Sequence, residues 1–141
     1  MTFGFRKKRS FFGYLVAYSV AGVLAALIPF LLSGAEMGAM IGERLAREPL
    51  HIGPGEGLIE RIGWCTGAAQ GSLLHAAELG LDAFLTGEVS EQTVHQAREL
   101  DMHFFAAGHH ATERYGIQAL GTHLADRFNI RHQYIDIDNP A

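Results

Sequence analysis

The chain has 141 residues and a mass of 15.4 kDa, the size of one ordinary domain. Hydrophobic residues make up 48% and charged residues 18%, which excludes a chain disordered by composition. The single cysteine, Cys65, excludes an internal disulfide and a Cys-only zinc site, and a formal net charge of -4 gives no nucleic-acid signal.

Charge divides the chain into two unlike parts. Residues 1–35 hold Arg6, Lys7, Lys8 and Arg9 and no acid, while every acidic residue lies beyond them. Residues 11–32, FFGYLVAYSVAGVLAALIPFLL, carry no charge. As a helix this segment would be about 33 Å long, enough for a hydrocarbon core of about 30 Å. The basic cluster before it would set the N-terminus on the cytoplasmic side, and Pro29 would kink or end the helix. A membrane-spanning anchor is the leading expectation for residues 1–32. The alternatives are a secretory signal cleaved near Ser33-Gly34-Ala35, and a buried helix or a stretch foreign to the natural protein.

From Gly34 short apolar runs alternate with helical periods. Glu36 to Ala46 reads as a helix with Met37, Met40, Ile41 and Leu45 on one face, stopped by Pro49. Leu50-His51-Ile52 and Ile59 to Cys65 are strand candidates across the turn 53–57, a possible hairpin. A helix over Gln70–Leu79 is closed by Gly80 as C′ residue. Strand Ala83–Leu85, helix Glu91–Leu100 with Ser90 as N-cap, and strand His103–Ala107 follow. A long helix from about His110 to Phe128 carries Ile117, Leu120, Leu124 and Phe128 on one stripe. A last strand is predicted over His132–Ile137. The alternation predicts an α/β fold with a mainly parallel sheet and flanking helices over residues 33–141.

In such sheets ligands bind beyond the carboxyl ends of the strands. Three glycine-bearing loops fall there: Thr66–Gly71, Thr86-Gly87-Glu88 and Gly108-His109-His110. His109 and Glu113 are four apart at a helix start and face one point. Imidazole nitrogen and carboxylate oxygen suit zinc, iron or manganese; the competing reading has His109 capping local backbone while Glu113 pairs with Arg114 or solvent. His110 is rotated about one hundred degrees off that face. Glu88 is a candidate to orient a ligand histidine or act as a base, or is a plain helix-start carboxylate. His95 is a weaker catalytic candidate, set against an exposed helix histidine. His51, His75, His103, His123 and His132 show no ligand spacing. Cys65 and Trp64 read as core, and the Thr66–Gly71 loop is a weak anion cradle.

Four segments together carry a resemblance: Trp64-Cys65-Thr66-Gly67, Asp82 through His95 (DAFLTGEVSEQTVH), Phe105 through Arg114 (FAAGHHATER) and Ile135 through Ala141 (IDIDNPA). In that order they resemble the C-terminal half of the type 2 GTP cyclohydrolase I family, also called Nif-three-like dinuclear metal-centre proteins. The resemblance covers about residues 32–141. It implies one lobe of a two-lobed α/β fold, a toroidal homohexamer in the cytoplasm, and metal-dependent hydrolysis on a small-molecule substrate. It implies a site for two divalent metal ions in which His109 and Glu113 are ligands, with Glu88 and His95 lining the cleft. His110 stands where many relatives carry tyrosine.

The family's N-terminal lobe supplies a His-His pair followed by glycine, and an aspartate. Residues 1–31 contain neither histidine nor aspartate. The expectation is therefore a truncated or mis-started family protein, weak in metal binding and with little activity alone, because one His and one Glu leave most ligand positions to water. A non-catalytic binding or assembly module, oligomeric or tethered through residues 11–32, is the alternative.

Overall fold

The structure, a computed structural model, describes the backbone of residues 4–5, 18–19, 22–23 and 32–140, and side chains from residue 32 onward. The expected apolar helix over residues 11–32 lies almost wholly outside them. Among the described residues no helix is long and apolar enough to cross a membrane.

Ser33 opens the first helix. Its hydroxyl accepts from the Glu36 N–H at 3.3 Å, and the Glu36 carboxylate accepts from the Ser33 N–H at 2.9 Å, a reciprocal capping box. Strand β1 (Leu32–Ser33) runs straight into α1 (Gly34–Leu45). Then come β2 (Leu50–Ile52), β3 (Leu58–Ile59), β4 (Ile62–Trp64) and a 3-10 turn (Gln70–Ser72) leading into α2 (Leu73–Glu78). β5 (Ala83–Thr86), α3 (Glu91–Glu99), β6 (His103–Ala106) and α4 (His109–Phe128) complete the order.

The main sheet is mixed, not mainly parallel throughout. β4, β5 and β6 are parallel neighbours, β2 closes one edge antiparallel to β6, and Gly4–Phe5 adds antiparallel outside β4. The expected hairpin between the runs at 50–52 and 59–65 does not form. β2 pairs with β6, Leu50 opposite Ala106 and Ile52 opposite Phe104, while β3 pairs with β1. The apolar faces explain this: beside β6, β2 buries Ile52 against Phe104, which a hairpin with β4 at the far side of β5 would not allow.

Alternation along the strands sorts the core onto two faces. Phe84, Phe104 and Ala106 pack with Leu73, Ala76 and Ala97 of α2 and α3. Ala83, Leu85, Phe105 and Ala107 pack with Met37, Ile41 and Leu45 of α1 and Ala111 of α4. The result is helices on both faces of the sheet. Cys65 is buried and Trp64 packs at the core edge, as expected.

Helix ends follow their sequence signals. Ser90 Oγ accepts from the Thr93 N–H, and Gly80 turns out of α2 with φ +67°. Arg61 donates to the Gly80 and Leu79 carbonyls at 2.6 and 2.8 Å, satisfying groups the helix leaves open. Two expectations fail further on. Residues 132–137 form no strand: they contact α4 through His132 and Asp136 and pair with no described strand. The stripe Ile117, Leu120, Leu124 and Phe128 is exposed rather than core, because α4 buries only Ala111, Thr112 and Gly116 at its start and middle.

His51 and His103, which show no ligand spacing in the sequence, form a pair at the β2–β6 edge. His51 Nε2 and His103 Nδ1 are 3.0 Å apart, one donating and one accepting. Burial holds both imidazoles below the ordinary value of 6.5; the like charge of His103 adds to this at His51, and Asp101 and Asp82 oppose it at His103. The unfolded chain then binds more protons than the folded one just below 6.5. The pair's contribution is complete above that range and is lost as pH falls through it. The urea midpoint attributable to this pair is expected to drop between about pH 7.5 and 5.5. The His51→Gln variant is expected to show a shallower dependence in the same denaturation series.

Candidate functional site

Because β4, β5 and β6 are parallel, their carboxyl ends meet at one edge. Ladder hydrogen bonding continues past the strands into the loops: Gly87 N–H to Gly67 O at 2.9 Å, Ala107 N–H to Thr86 O at 2.8 Å, and Gly108 N–H to Gly87 O at 2.9 Å. Two buried threonines lock the loops together. The Thr86 hydroxyl donates to Gly67 O at 2.9 Å and accepts from the Ala69 N–H at 3.1 Å. The Thr112 hydroxyl accepts from the Gly67 N–H at 3.1 Å and turns back on its own helix to Gly108 O at 2.9 Å. These bonds occupy the N–H groups of Gly67 and Ala69, so neither of these two is available to an anion.

Gly67 adopts φ +71°, which strains any residue with a side chain. A Cβ there would also lie 3.2 Å from His109 Nε2 and against the Glu113 carboxylate. At Gly87 a Cβ would lie 2.7 Å from His109 Cα. The glycines let two loops close directly on the first turn of α4.

That turn carries the chemistry. His109 Nδ1 lies 2.7 Å from Glu88 Oε1, and His109 Nε2 lies 3.1 Å from Glu113 Oε2. The imidazole is held between two carboxylates, one from the loop after β5 and one a turn further along α4. Gln70 Nε2 reaches the other Glu88 oxygen at 3.5 Å. The Glu88 hydrogen bond raises His109 above the ordinary histidine value, burial opposes it, and the charge of Glu113 adds to it. When protonated, the ring donates at both nitrogens, to Glu88 and to Glu113. The cluster is open to solvent, with His109, Glu88 and Glu113 side chains 39%, 42% and 45% exposed.

The structure thus brings together Glu88, His109 and Glu113 from the sequence-predicted set. His95 does not join them: it is an exposed residue of α3, 3.9 Å from Glu91 one turn back on its own helix. His110 points away, as its rotation requires, to Asp136 Oδ1 at 3.0 Å. Arg114 does not take Glu113; it donates to Leu45 O and lies 3.5 Å from Asp136. Sequence reasoning placed Gln70 and Thr86 in the candidate loops without assigning them a role, and gave Thr112 none. The signal for the threonines is present, since Thr86 precedes a strand-end glycine and Thr112 stands four residues after Gly108.

Known proteins share this arrangement of strands and loops. A model of the Duf34/NIF3 (NGG1p interacting factor 3) family matches residues 24–140. The chain belongs to the Duf34/NIF3 family. A GTP cyclohydrolase 1 type 2 homolog of Allochromatium vinosum is 61% identical over 101 residues, covering 72% of this chain and 40% of the relative. The Yersinia pestis homolog of the same description is 47% identical over 135 residues, covering 90% of this chain and 54% of the relative. The chain spans about half the length of these relatives. Among solved structures, protein ybgI, of unknown function, is 50% identical with TM-score 0.77, covering 79% of this chain and 46% of that one. TTHA1606 of Thermus thermophilus is 27% identical with TM-score 0.69, covering 79% and 44%.

Within this Duf34/NIF3 chain the donor set is small. The 3.1 Å between His109 Nε2 and Glu113 Oε2 is the spacing of two ligands that share one ion at about 2.0–2.2 Å each. Yet among the described residues no group of three or more His, Cys, Asp or Glu is placed to hold a metal. The residues fit one edge of a coordination shell. The threonine lock is directly testable. Thr86→Val removes the acceptor of the buried Ala69 N–H and is expected to cost about 2 kcal/mol, read from urea unfolding. Thr86→Ser is expected to retain most of the stability.

Proposed function

We propose that this chain carries part of a divalent-metal site of a Duf34/NIF3 hydrolase, with His109 and Glu113 as ligands and Glu88 as the residue that orients His109. The observation that supports this most directly is the Glu88–His109–Glu113 chain at 2.7 and 3.1 Å. Glu88 on Nδ1 fixes the ring and the tautomer that leaves Nε2 as donor atom, the usual second partner of a metal-bound histidine. Glu113, one turn along the same helix, presents its oxygen to the same point. A bound divalent ion would supply Lewis acidity toward a substrate oxygen or water.

The chain's own residues do the rest. Glu88 holds a proton at Nδ1 of His109, Gln70 keeps the second Glu88 oxygen from turning away, and Thr112 fixes the first turn of α4. His95, exposed on α3, has no part in this account. The relatives are GTP cyclohydrolase 1 type 2 homologs by name, so a nucleotide-related small molecule is the substrate class we propose for the complete site. We further propose that the complete site draws remaining ligands from the length of the relatives this chain does not span, and that members assemble as homo-oligomers.

A second reading has its own support. The donor shortfall among the described residues and the exposed stripe Ile117, Leu120, Leu124 and Phe128 fit a non-catalytic assembly module. Calorimetric titration of the full chain with zinc or manganese separates the two. Binding no tighter than tens of micromolar is expected from about two protein ligands. It should vanish in His109→Ala and weaken about tenfold in Glu88→Gln. Unaltered binding in His109→Ala would remove the metal reading and leave the assembly module.

A further inference from the structure

Residues 130–140 form no helix and no strand, yet they make specific contacts with the rest of the chain. Beyond Asn129, which ends α4 in the left-handed conformation, the chain turns back along the helix it has just left. It touches α4 at two places. The His132 ring lies so close over Gly121 that a Cβ there would overlap it. Four residues on, Asp136 meets the first turns of α4: its Oδ1 accepts from His110 Nε2 at 3.0 Å and from the Tyr134 hydroxyl at 3.2 Å, and Oδ2 lies 3.5 Å from Arg114 Nη1. The spacing is self-consistent. From Gly121 back to the midpoint of His110 and Arg114 is about 13 Å of helix at 1.5 Å per residue. Four extended residues also cover about 13 Å. Farther on, the Asn139 carbonyl accepts from Arg47 at 3.5 Å.

His110 and Arg114 are the residues that follow His109 and Glu113. Each stands one position, about one hundred degrees of helix, from one member of the acid–imidazole cluster. Arg114 also donates to Leu45 O, and Tyr115 donates to Arg44 O at 3.0 Å, so the same turn of α4 holds the carboxyl end of α1. Asp136 therefore closes a frame of α1, α4 and the tail around the turn that carries the site. The tail turns Asp136, still 46% exposed, and Tyr134 toward α4 and leaves Ile135 and Ile137 71% and 75% exposed, so polar contacts and the crossing at Gly121 hold it, not apolar burial.

We infer that the C-terminal tail is a strap that sets the rotation of the first turn of α4, with Asp136 as the positioning residue for His109 and Glu113. It acts through His110 and Arg114 and touches neither His109 nor a substrate. The strap is a property of the metal-free chain. Only its effect on metal affinity rests on the reading of His109 and Glu113 as ligands.

Two variants of the full chain lift the strap by different means. Asp136→Ala removes the inner contact. Gly121→Ala displaces His132 while improving the helix propensity of α4, so loss of general stability is not expected from it. The readouts are the His109 imidazole nitrogen resonances at one fixed pH, amide exchange at residues 111–114, and zinc affinity. In both variants the metal-free His109 resonances are expected to shift. Exchange at 111–114 should quicken at least fivefold, with exchange in β5 and β6 unaltered. Asp136→Asn, which keeps an acceptor for His110 and Tyr134, should restore the wild-type resonances. Zinc affinity should fall about fivefold in the two lifting variants. Unaltered resonances and exchange in both would overturn the strap, whatever zinc does. Shifted resonances in a chain that never binds zinc would keep the strap and sink the metal reading.

Discussion

The site depends on one hydroxyl. Thr86 ends the central strand, and its Oγ1 donates to Gly67 O while accepting from the Ala69 N–H. Without it the Ala69 N–H would be a buried donor with no partner, and Gly67 O would keep only the Gly87 N–H to hold the loop after β4 against the loop after β5. With it, Gly67 comes to rest under the His109 and Glu113 side chains, and the first turn of α4 has a floor. The acid–imidazole cluster is solvent-exposed and weakly held by itself. What gives it a fixed shape is the buried backbone and threonine network beneath.

This division of labour is a common solution for polar sites on α/β sheets. The parallel strands supply register, because β4, β5 and β6 must end together if their hydrogen bonds are to continue into the loops. The glycines supply proximity. The side chains that do chemistry can then sit at the rim, wet and reachable, without carrying the burden of stability.

Much of this is legible in the sequence. Gly80 and Ser90 mark their helix ends by elementary capping rules, and the three strand-end loops predict where polar groups converge. The spacing of His109 and Glu113 finds their shared face. Other parts are not legible, for reasons of context. The run at 50–52 is too short to name its partner, and only the packing of Ile52 against Phe104 places it beside β6. The alternation at 132–137 has the period of a strand, but its polar face is used on α4 and it pairs with no described strand. The His51–His103 pair joins residues far apart in sequence, so no local spacing could announce it. Ser33 and Glu36 do form a readable capping box, and the expected helix start at Glu36 overlooks it.

Cys65 has a consequence of its own. It is the chain's lone thiol, it is buried, and its N–H bonds to Leu85 O immediately before the Thr66–Gly71 loop begins. Burial raises its pKa, so in the closed fold it presents little thiolate to any reagent. To become reactive it has to lose the cover of Ala69, Leu73 and Ala76, and a movement that carries Ala69 away takes its loop from beneath His109. The speed at which a disulfide reagent consumes this sulfur is therefore a clock for how often the floor of the site comes apart.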